Sequence, residues 1–127
     1  VRKPEAFDVI VAPNLFGDIV TDIGAIITGS MGLASSANIN PDTSVPSMFE
    51  PTHGSAPDIA GQGIANPMAQ ILTGAMMLRH LGEHTAAADV DAAVLELLEQ
   101  GEILTPDLGG SSTTESVGDA IAQLVAE

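Results

Sequence analysis

Apolar residues recur at helical spacing in four stretches of the chain. Residues 18–28 carry a stripe of isoleucines, residues 67–81 are apolar around most of their circumference, and residues 85–100 are amphipathic. The first and third patterns predict helices with one buried face, and the second predicts a deeply buried helix. A fourth helix is predicted after residues 112–115, Ser-Thr-Thr-Glu, which are typical of a capping box. Glycine follows each of the first three stretches, as expected where a helix ends.

Strand signals are fewer and shorter. Residues 7–12, FDVIVA, form a β-branched apolar run that predicts a buried strand. Residues 47–50 and 103–104 predict two further short strands. The polar, proline-containing segment 35–47 is expected to be a connection that crosses between two domains. Strands that alternate with helices indicate an α/β class, but these strands are too few for a complete sheet.

A long loop separates the strand at 47–50 from the buried helix. Residues 50–67 read EPTHGSAPDIAGQGIANP and show neither helical nor strand periodicity. Long loops in compact domains are usually functional. Asn66 and Pro67 are the types expected at an N-cap and a first helical position, so the helix would point its N-terminus back at the loop. That end favours an anionic or phosphate-bearing ligand. A purely structural loop before a well-capped helix is an equally good reading of these residues.

Charge narrows the possible partners. The 127 residues include 17 acidic and 3 basic side chains, for a formal net charge of −14. Such a surface repels nucleic acid and anionic membranes. It also suits a salt-rich cytoplasm, and we hypothesise adaptation to high salt.

There are no cysteines, so disulfides and thiolate metal sites are excluded, and no apolar run is long enough to predict a membrane span.

Two aspartates four residues apart offer a metal site. On a helix, Asp18 and Asp22 place their carboxylates on one face. Hard oxygen ligands of this kind suit Mg²⁺ or Mn²⁺. A solvated acidic face is the alternative, and it is the better reading of an isolated pair.

Three segments together resemble one enzyme family. They are EPTHGSAPDIAG…IANP at 50–67, NLFGDIVTDIGAIITGSMGLASSANI at 14–39 and TPDLGG at 105–110. The resemblance is to the metal-dependent β-decarboxylating dehydrogenases, which include the isopropylmalate, isocitrate, homoisocitrate and tartrate/D-malate enzymes. It implies the C-terminal part of a two-domain α/β fold of the isopropylmalate dehydrogenase type. Residues 1–34 would end the metal, substrate and dimerisation domain, and residues 35–127 would belong to the cofactor-binding domain.

The resemblance gives the GDIVTD segment a metal role. Asp18 and Asp22 match the family's aspartates that bind Mg²⁺ or Mn²⁺, and this ion also holds the 2-hydroxy acid. A further carboxylate in the family comes from an upstream part of the chain, across the dimer. The resemblance therefore implies a homodimer.

The resemblance also implies that the long loop binds a cofactor, because in the family this loop wraps the adenosine half of the nucleotide. The residues that inherit cofactor binding are Glu50, His53, Gly54, Ser55, Ala56, Pro57, Asp58, Ile59 and Asn66. Glu50 would lie at the nicotinamide end, although locally it is equally a surface carboxylate. Asp58 points to NAD rather than NADP, because a carboxylate accepts hydrogen bonds from ribose hydroxyls and repels a 2′-phosphate.

The residues for the chemical step are missing from this sequence. The family uses a lysine and a tyrosine as acid and base, and arginines that clamp the substrate. Here there is no tyrosine, Lys3 lies outside any matching motif, and Arg2 and Arg79 match no such cluster. No catalytic residue is therefore predicted in this piece, and the piece alone is predicted to be inactive.

The substrate prediction rests on residues 36–51, SANINPDTSVPSMFEP, which look most like the tartrate/D-malate branch. A small 2-hydroxy dicarboxylate and a cytoplasmic enzyme are therefore expected. Isopropylmalate dehydrogenase is the close alternative. A non-catalytic fragment or regulatory subunit is the alternative from another class, and the intact Asp18, Asp22 and long loop argue against it.

Overall fold

The computed structural model describes residues 2–42 and 44–126, which form four α-helices and one small sheet. The helices are α1 (Asn14–Thr28), α2 (Met68–His80), α3 (His84–Gln100) and α4 (Thr114–Ala126). The strands are β1 (Ser35–Asn38) and β2 (Met48–Pro51), which pair antiparallel with Ser35 opposite Pro51. The prediction of an α/β piece with an incomplete sheet is confirmed.

The core lies between α2, α3 and α4. Its buried side chains are Met68, Ala93, Val94, Leu97, Val117 and Ile121. Leu33, before β1, and Leu108, after α3, pack against this core from two connecting segments. Burying a large apolar side chain contributes about 1.5–3 kcal/mol. The three helices therefore form a stable platform on which the loops between them are arranged.

Glycine ends α2 as the sequence predicted. Gly82 has a φ of +90°, its N–H donates to the carbonyl of Arg79 at 3.2 Å, and Glu83 N–H donates to the carbonyl of Leu78 at 2.9 Å. These two bonds form a Schellman motif, in which a left-handed glycine turns the chain back. The turn brings α3 against α2, where Arg79 forms an ion pair with Asp91.

The predicted buried strand at residues 7–12 is absent. These residues are assigned to no strand, and Val11 is 95% exposed. A strand needs a neighbour to pair its backbone groups, and the described residues supply none here. α1 begins at Asn14, four residues earlier than predicted, with Gly17 N–H donating to the carbonyl of Pro13 at 2.8 Å. A single glycine inside a helix costs only about 1 kcal/mol, so Gly17 does not break it.

The sheet differs from the prediction in one strand. β2 was predicted at 47–50 and lies at Met48–Pro51, but β1 forms within a segment that was expected to be a connection. Its residues Ser-Ser-Ala-Asn have no apolar alternation, so pairing with β2 decides their conformation. Thr52 N–H extends this contact by donating to the carbonyl of Ala34 at 3.0 Å.

Two predictions near α4 also change. Residues 103–104 are assigned to no strand, and both side chains are instead partly buried against the core. α4 begins at Thr114, and Thr113 rather than Ser112 caps it, because its hydroxyl accepts from Ser116 N–H at 3.1 Å. The capping residue lies one position later than predicted.

α1 projects from this platform with its apolar stripe uncovered. Ala25 is its buried residue, whereas Ile26 is 65% and Ile23 is 41% exposed. Large exposed apolar surfaces usually mark contacts with other protein. The described residues therefore leave an apolar face of α1 uncovered.

Candidate functional site

The long loop runs from β2 to the start of α2, and it is strained at one residue. Ala56 has φ +42° and ψ +63°, a left-handed conformation that side chains disfavour. It precedes a tight turn at Pro57–Ile59. Strained residues of this kind cost about 1–3 kcal/mol and cluster at functional sites. The loop thus has a specific shape, as a binding loop requires.

Most of the predicted cofactor residues face solvent. Glu50, Gly54, Ser55, Ala56, Pro57 and Asp58 are exposed, and His53, Ile59 and Asn66 are partly buried. The Asp58 carboxylate makes no hydrogen bond to other described residues, and the Asp58 carbonyl accepts from Gln62 Nε2 at 2.8 Å. His53 Nδ1 lies 3.0 Å from the carbonyl of Gly54. The loop backbone is held by its own contacts, and the Asp58 carboxylate is left available to a ligand.

Asn66 closes the loop, with each end of its amide engaged. Its Oδ1 accepts from Met68 N–H at 3.0 Å, which is the N-cap bond that the sequence predicted. Its Nδ2 donates to Asp107 Oδ2 at 3.0 Å. One N–H of this amide group remains for a ligand.

Asp107 is the centre of a hydrogen-bonded cluster that the sequence did not reveal. Its Oδ2 accepts from Ser30 Oγ at 2.5 Å as well as from Asn66, and its Oδ1 accepts from Thr105 Oγ1 at 2.5 Å. Burial raises the pKa of Asp107, but the hydrogen bonds from Ser30, Thr105 and Asn66 outweigh it and hold that pKa below its ordinary value. We call Ser30, Asn66, Thr105 and Asp107 the Asp107 cluster.

Gly32 shows how tightly the Asp107 cluster packs. A methyl group at this position would lie 2.6 Å from Asn66 Cβ and 2.8 Å from Asp107 Oδ2, so only glycine fits. The Gly32 N–H also donates to Ser30 Oγ at 2.9 Å. The TPDLGG segment was the one available signal for this cluster, but its aspartate was not singled out.

The end of the long loop is also fixed to α4. Thr114 N–H donates to the carbonyl of Gly63 at 2.8 Å, and Thr114 Oγ1 donates to the carbonyl of Ala65 at 2.5 Å. These bonds join the last residues of the loop to the start of another helix. The loop is therefore fixed at its α2 end by both α4 and the Asp107 cluster.

The predicted metal ligands lie on α1. Asp18 and Asp22 are both exposed and four residues apart on this helix, as predicted. Within residues 2–42 and 44–126, no group of three or more His, Cys, Asp or Glu side chains is arranged to hold a metal ion. The two carboxylates suit a hard divalent cation, which takes about six oxygen ligands, but they form an incomplete set.

A groove of about 600 Å³ connects α1 with the long loop. Gly17, Thr21 and Ala25 line it from α1, and Thr52 lines it from the loop. Asp18 and Asp22 lie on the same helix as these lining residues. A small molecule in the groove would contact the predicted metal helix and the start of the predicted cofactor loop.

Comparisons with known proteins find a family model, relatives and solved structures that are similar to this chain. A family model described as isocitrate/isopropylmalate dehydrogenase matches residues 1–121. The chain is 56% identical over 127 residues to 3-isopropylmalate dehydrogenase of Thermobifida fusca. It is 57% identical over 124 residues to a probable tartrate dehydrogenase/decarboxylase of Bacillus subtilis. The crystal structure of isocitrate dehydrogenase from Methylococcus capsulatus matches with a TM-score of 0.91 and 47% identity.

These matches cover the chain but not the relatives. They span 100%, 95% and 98% of this chain, and 35%, 34% and 37% of the three relatives. The chain therefore spans about a third of their length. In the described part of the chain, no helix combines the length and hydrophobicity needed to cross a bilayer. The family resemblance found in the sequence, and the α/β fold type that it implied, are confirmed.

Proposed function

We propose a function from one established premise: the chain belongs to the isocitrate/isopropylmalate dehydrogenase family. The activity is NAD-dependent oxidative decarboxylation of a small 2-hydroxy dicarboxylic acid with Mg²⁺ or Mn²⁺, and a longer protein that includes this chain carries it out. One observation supports this most strongly: α1, the helix that carries Asp18 and Asp22, lines a groove together with Thr52 of the long loop. Residues 1–34 and 35–127 remain our proposed division between the two domains.

The long loop would hold the adenosine half of NAD. Its exposed Asp58 would accept hydrogen bonds from the ribose hydroxyls and repel a 2′-phosphate. The loop contains no lysine or arginine to attract such a phosphate. Phosphates of NAD would instead meet backbone N–H groups, including those at the start of α2. Glu50 would lie at the nicotinamide end, where the coenzyme supplies hydride transfer.

Asp18 and Asp22 would hold the divalent ion through two hard oxygen ligands. A bound ion would supply Lewis acidity at the substrate hydroxyl and at the charge that develops as CO₂ leaves. The ligand set in this chain is incomplete, and we propose that a partner subunit completes it in a homodimer. The exposed apolar face of α1 agrees with a protein contact there. Sedimentation that shows an active monomer would contradict the dimer.

General acid, general base and substrate-clamping arginines would come from the rest of the protein. This chain has no tyrosine and three basic residues, and one of those, Arg79, is paired with Asp91. Proton transfer at the substrate hydroxyl and carbon needs a group of tuned pKa within hydrogen-bond reach. The piece alone is therefore expected to bind ligand parts without turning substrate over.

The substrate is proposed as D-malate or tartrate, with 3-isopropylmalate as the alternative. Support comes from residues 36–51, which are most like the tartrate/D-malate branch. The three relatives are named for different substrates at 47% to 57% identity to this chain. Substrate choice is therefore assigned to residues outside this chain. Neither nucleic acid nor membrane is a proposed partner, because the net charge is −14.

A cytoplasmic location is part of the same proposal, because the reaction draws on NAD and the sequence has no cysteine for disulfides. The alternative from another class is a regulatory subunit that has lost the chemistry. The presence of both aspartates and the complete long loop supports the enzyme instead. A natural gene that begins where this sequence begins would favour the subunit.

The deciding experiment assays the full-length protein, obtained by reading the gene upstream of Val1. NAD and NADP are each offered with Mn²⁺ and with D-malate, tartrate, 3-isopropylmalate or isocitrate. We expect reduction of NAD with one acid, and a loss of at least about a hundredfold in kcat/KM for Asp18→Asn and Asp22→Asn. Asp119→Asn, at an exposed site on α4, is the matched control and should retain activity.

Two results would contradict the proposal. A folded full-length protein that reduces neither coenzyme with any of the acids would remove the activity. Variants Asp18→Asn and Asp22→Asn that match the Asp119→Asn control would leave the activity standing and remove the metal role of α1.

A further inference from the structure

The Asp107 carboxylate joins three separate segments of the chain. It accepts from Ser30 in the turn after α1, from Thr105 after α3, and from Asn66 at the end of the long loop. The three hydrogen bonds hold the Asp107 carboxylate in its ionised form. Both of its oxygens therefore act only as acceptors. Ser30, Thr105 and Asn66 must therefore each donate a hydrogen bond to Asp107.

This requirement fixes the orientation of the Asn66 amide. An amide offers an oxygen acceptor on one side and an NH₂ donor on the other, and its orientation follows from its partners. Asp107 Oδ2 requires the NH₂ group, and the Met68 N–H requires the oxygen. The flipped amide would set oxygen against carboxylate and NH₂ against N–H, which loses both bonds.

We propose that Asp107 is a positioning residue for nucleotide binding, because it makes Asn66 present a hydrogen-bond donor to the ligand. This inference rests on the proposed function for its ligand, NAD. One Asn66 N–H remains after the bond to Asp107, and it can donate to an acceptor atom on the adenosine half. Asp107 acts only through Asn66, so it needs no contact with the nucleotide.

The Asp107 cluster also links the two proposed domains. Ser30 belongs to the segment assigned with α1, and Asp107 lies 77 residues later in the segment assigned to cofactor binding. There is no room for a side chain at Gly32, so the backbone of this turn packs directly against Asn66. The carboxylate that orients Asn66 is therefore the same one that holds the turn after the predicted metal helix.

The first test measures NADH affinity of the full-length protein by fluorescence titration, without any acid substrate. Asp107→Ala should raise the Kd for NADH about tenfold, which corresponds to losing the one hydrogen bond that Asn66 donates to the ligand. Asp89→Ala, which removes an exposed aspartate of α3, is the matched control and should leave the Kd within about twofold.

The second test exchanges the two side chains and separates positioning from stability. Asn66→Asp sets two carboxylates together, so we expect a lower melting temperature and a Kd raised about tenfold. Asp107→Asn should keep the Kd within about threefold, because its amide oxygen still accepts from Asn66 and its NH₂ can donate to Thr105. The double variant Asn66→Asp/Asp107→Asn restores one hydrogen bond between the positions, with donor and acceptor reversed.

The double variant decides the matter even if Asp107→Ala does not fold. Its melting temperature should recover, while its Kd stays raised because the carboxylate that replaces the Asn66 amide has no N–H for the ligand. Recovery of both quantities would show a purely structural role and overturn the inference. So would an unchanged Kd for folded Asp107→Ala.

Failure of the proposed function gives a different result. Wild-type protein that binds no NADH overturns both that function and this inference. Wild-type protein that binds NADH but oxidises none of the acids refutes the activity alone, and the Kd series still tests Asp107.

Discussion

Asp58 is the side chain on which the proposed preference for NAD depends. Asp58→Lys removes an acceptor for ribose hydroxyls and adds a cation that attracts a 2′-phosphate. We expect the ratio of kcat/KM for NAD to that for NADP to fall at least about tenfold, equivalent to about 1.4 kcal/mol. Steady-state kinetics of the full-length protein with both coenzymes gives this ratio.

The matched control for Asp58 is Asp89→Lys, which makes the same change of charge at an exposed site on α3. A general effect of charge would shift both variants alike. An unchanged ratio in Asp58→Lys would remove this residue from coenzyme selection.

At the residue scale, sequence reasoning succeeded where the partners are close along the chain. The bond from Met68 N–H to Asn66 spans two residues and follows from N-cap chemistry. The role of Asp107 depends on Asn66 and Ser30, which are 41 and 77 residues away. No local pattern encodes those contacts, so the central residue of the candidate site was missed.

At the scale of elements, helices could be predicted because their signals lie within them. α2 and α3 begin and end within one residue of the predicted bounds. Apolar periodicity and glycine at the C-terminus were sufficient for both. α1 extends further than predicted, because its first turn precedes the isoleucine stripe from which the helix was predicted.

Strands were predicted poorly for a physical reason. A strand is stable only when another strand pairs with it, and the sequence of one strand does not identify its partner. Residues 7–12 have the composition of a strand but no described neighbour. β1 has a polar composition and forms because β2 lies beside it.

At the scale of the whole molecule, the charge of −14 predicts a strong response to salt. The described part of the chain contains one ion pair, between Arg79 and Asp91. The remaining carboxylates repel one another, and salt near 1 M reduces the Debye length to about 3 Å. We expect the melting temperature of the full-length protein to rise between low salt and molar KCl.

Acid pH provides the control for this salt effect. Acid reduces the net negative charge and with it the repulsion that salt screens, so the rise with KCl should shrink at low pH. A fold that is no more stable in molar KCl at neutral pH would count against the hypothesis of adaptation to high salt.

The Asp107 cluster gives the molecule two built-in reporters. The backbone amides of Gly32 and Met68 donate to the side chains of Ser30 and Asn66, rather than to a helix or sheet carbonyl. Their deuterium exchange therefore requires only that the cluster opens, whereas amides within α3 need a larger unfolding. NADH should slow exchange at both positions together, because Gly32 packs against Asn66 and Met68 N–H is bonded to the Asn66 amide oxygen. Unequal slowing would show that the turn after α1 and the end of the long loop respond independently.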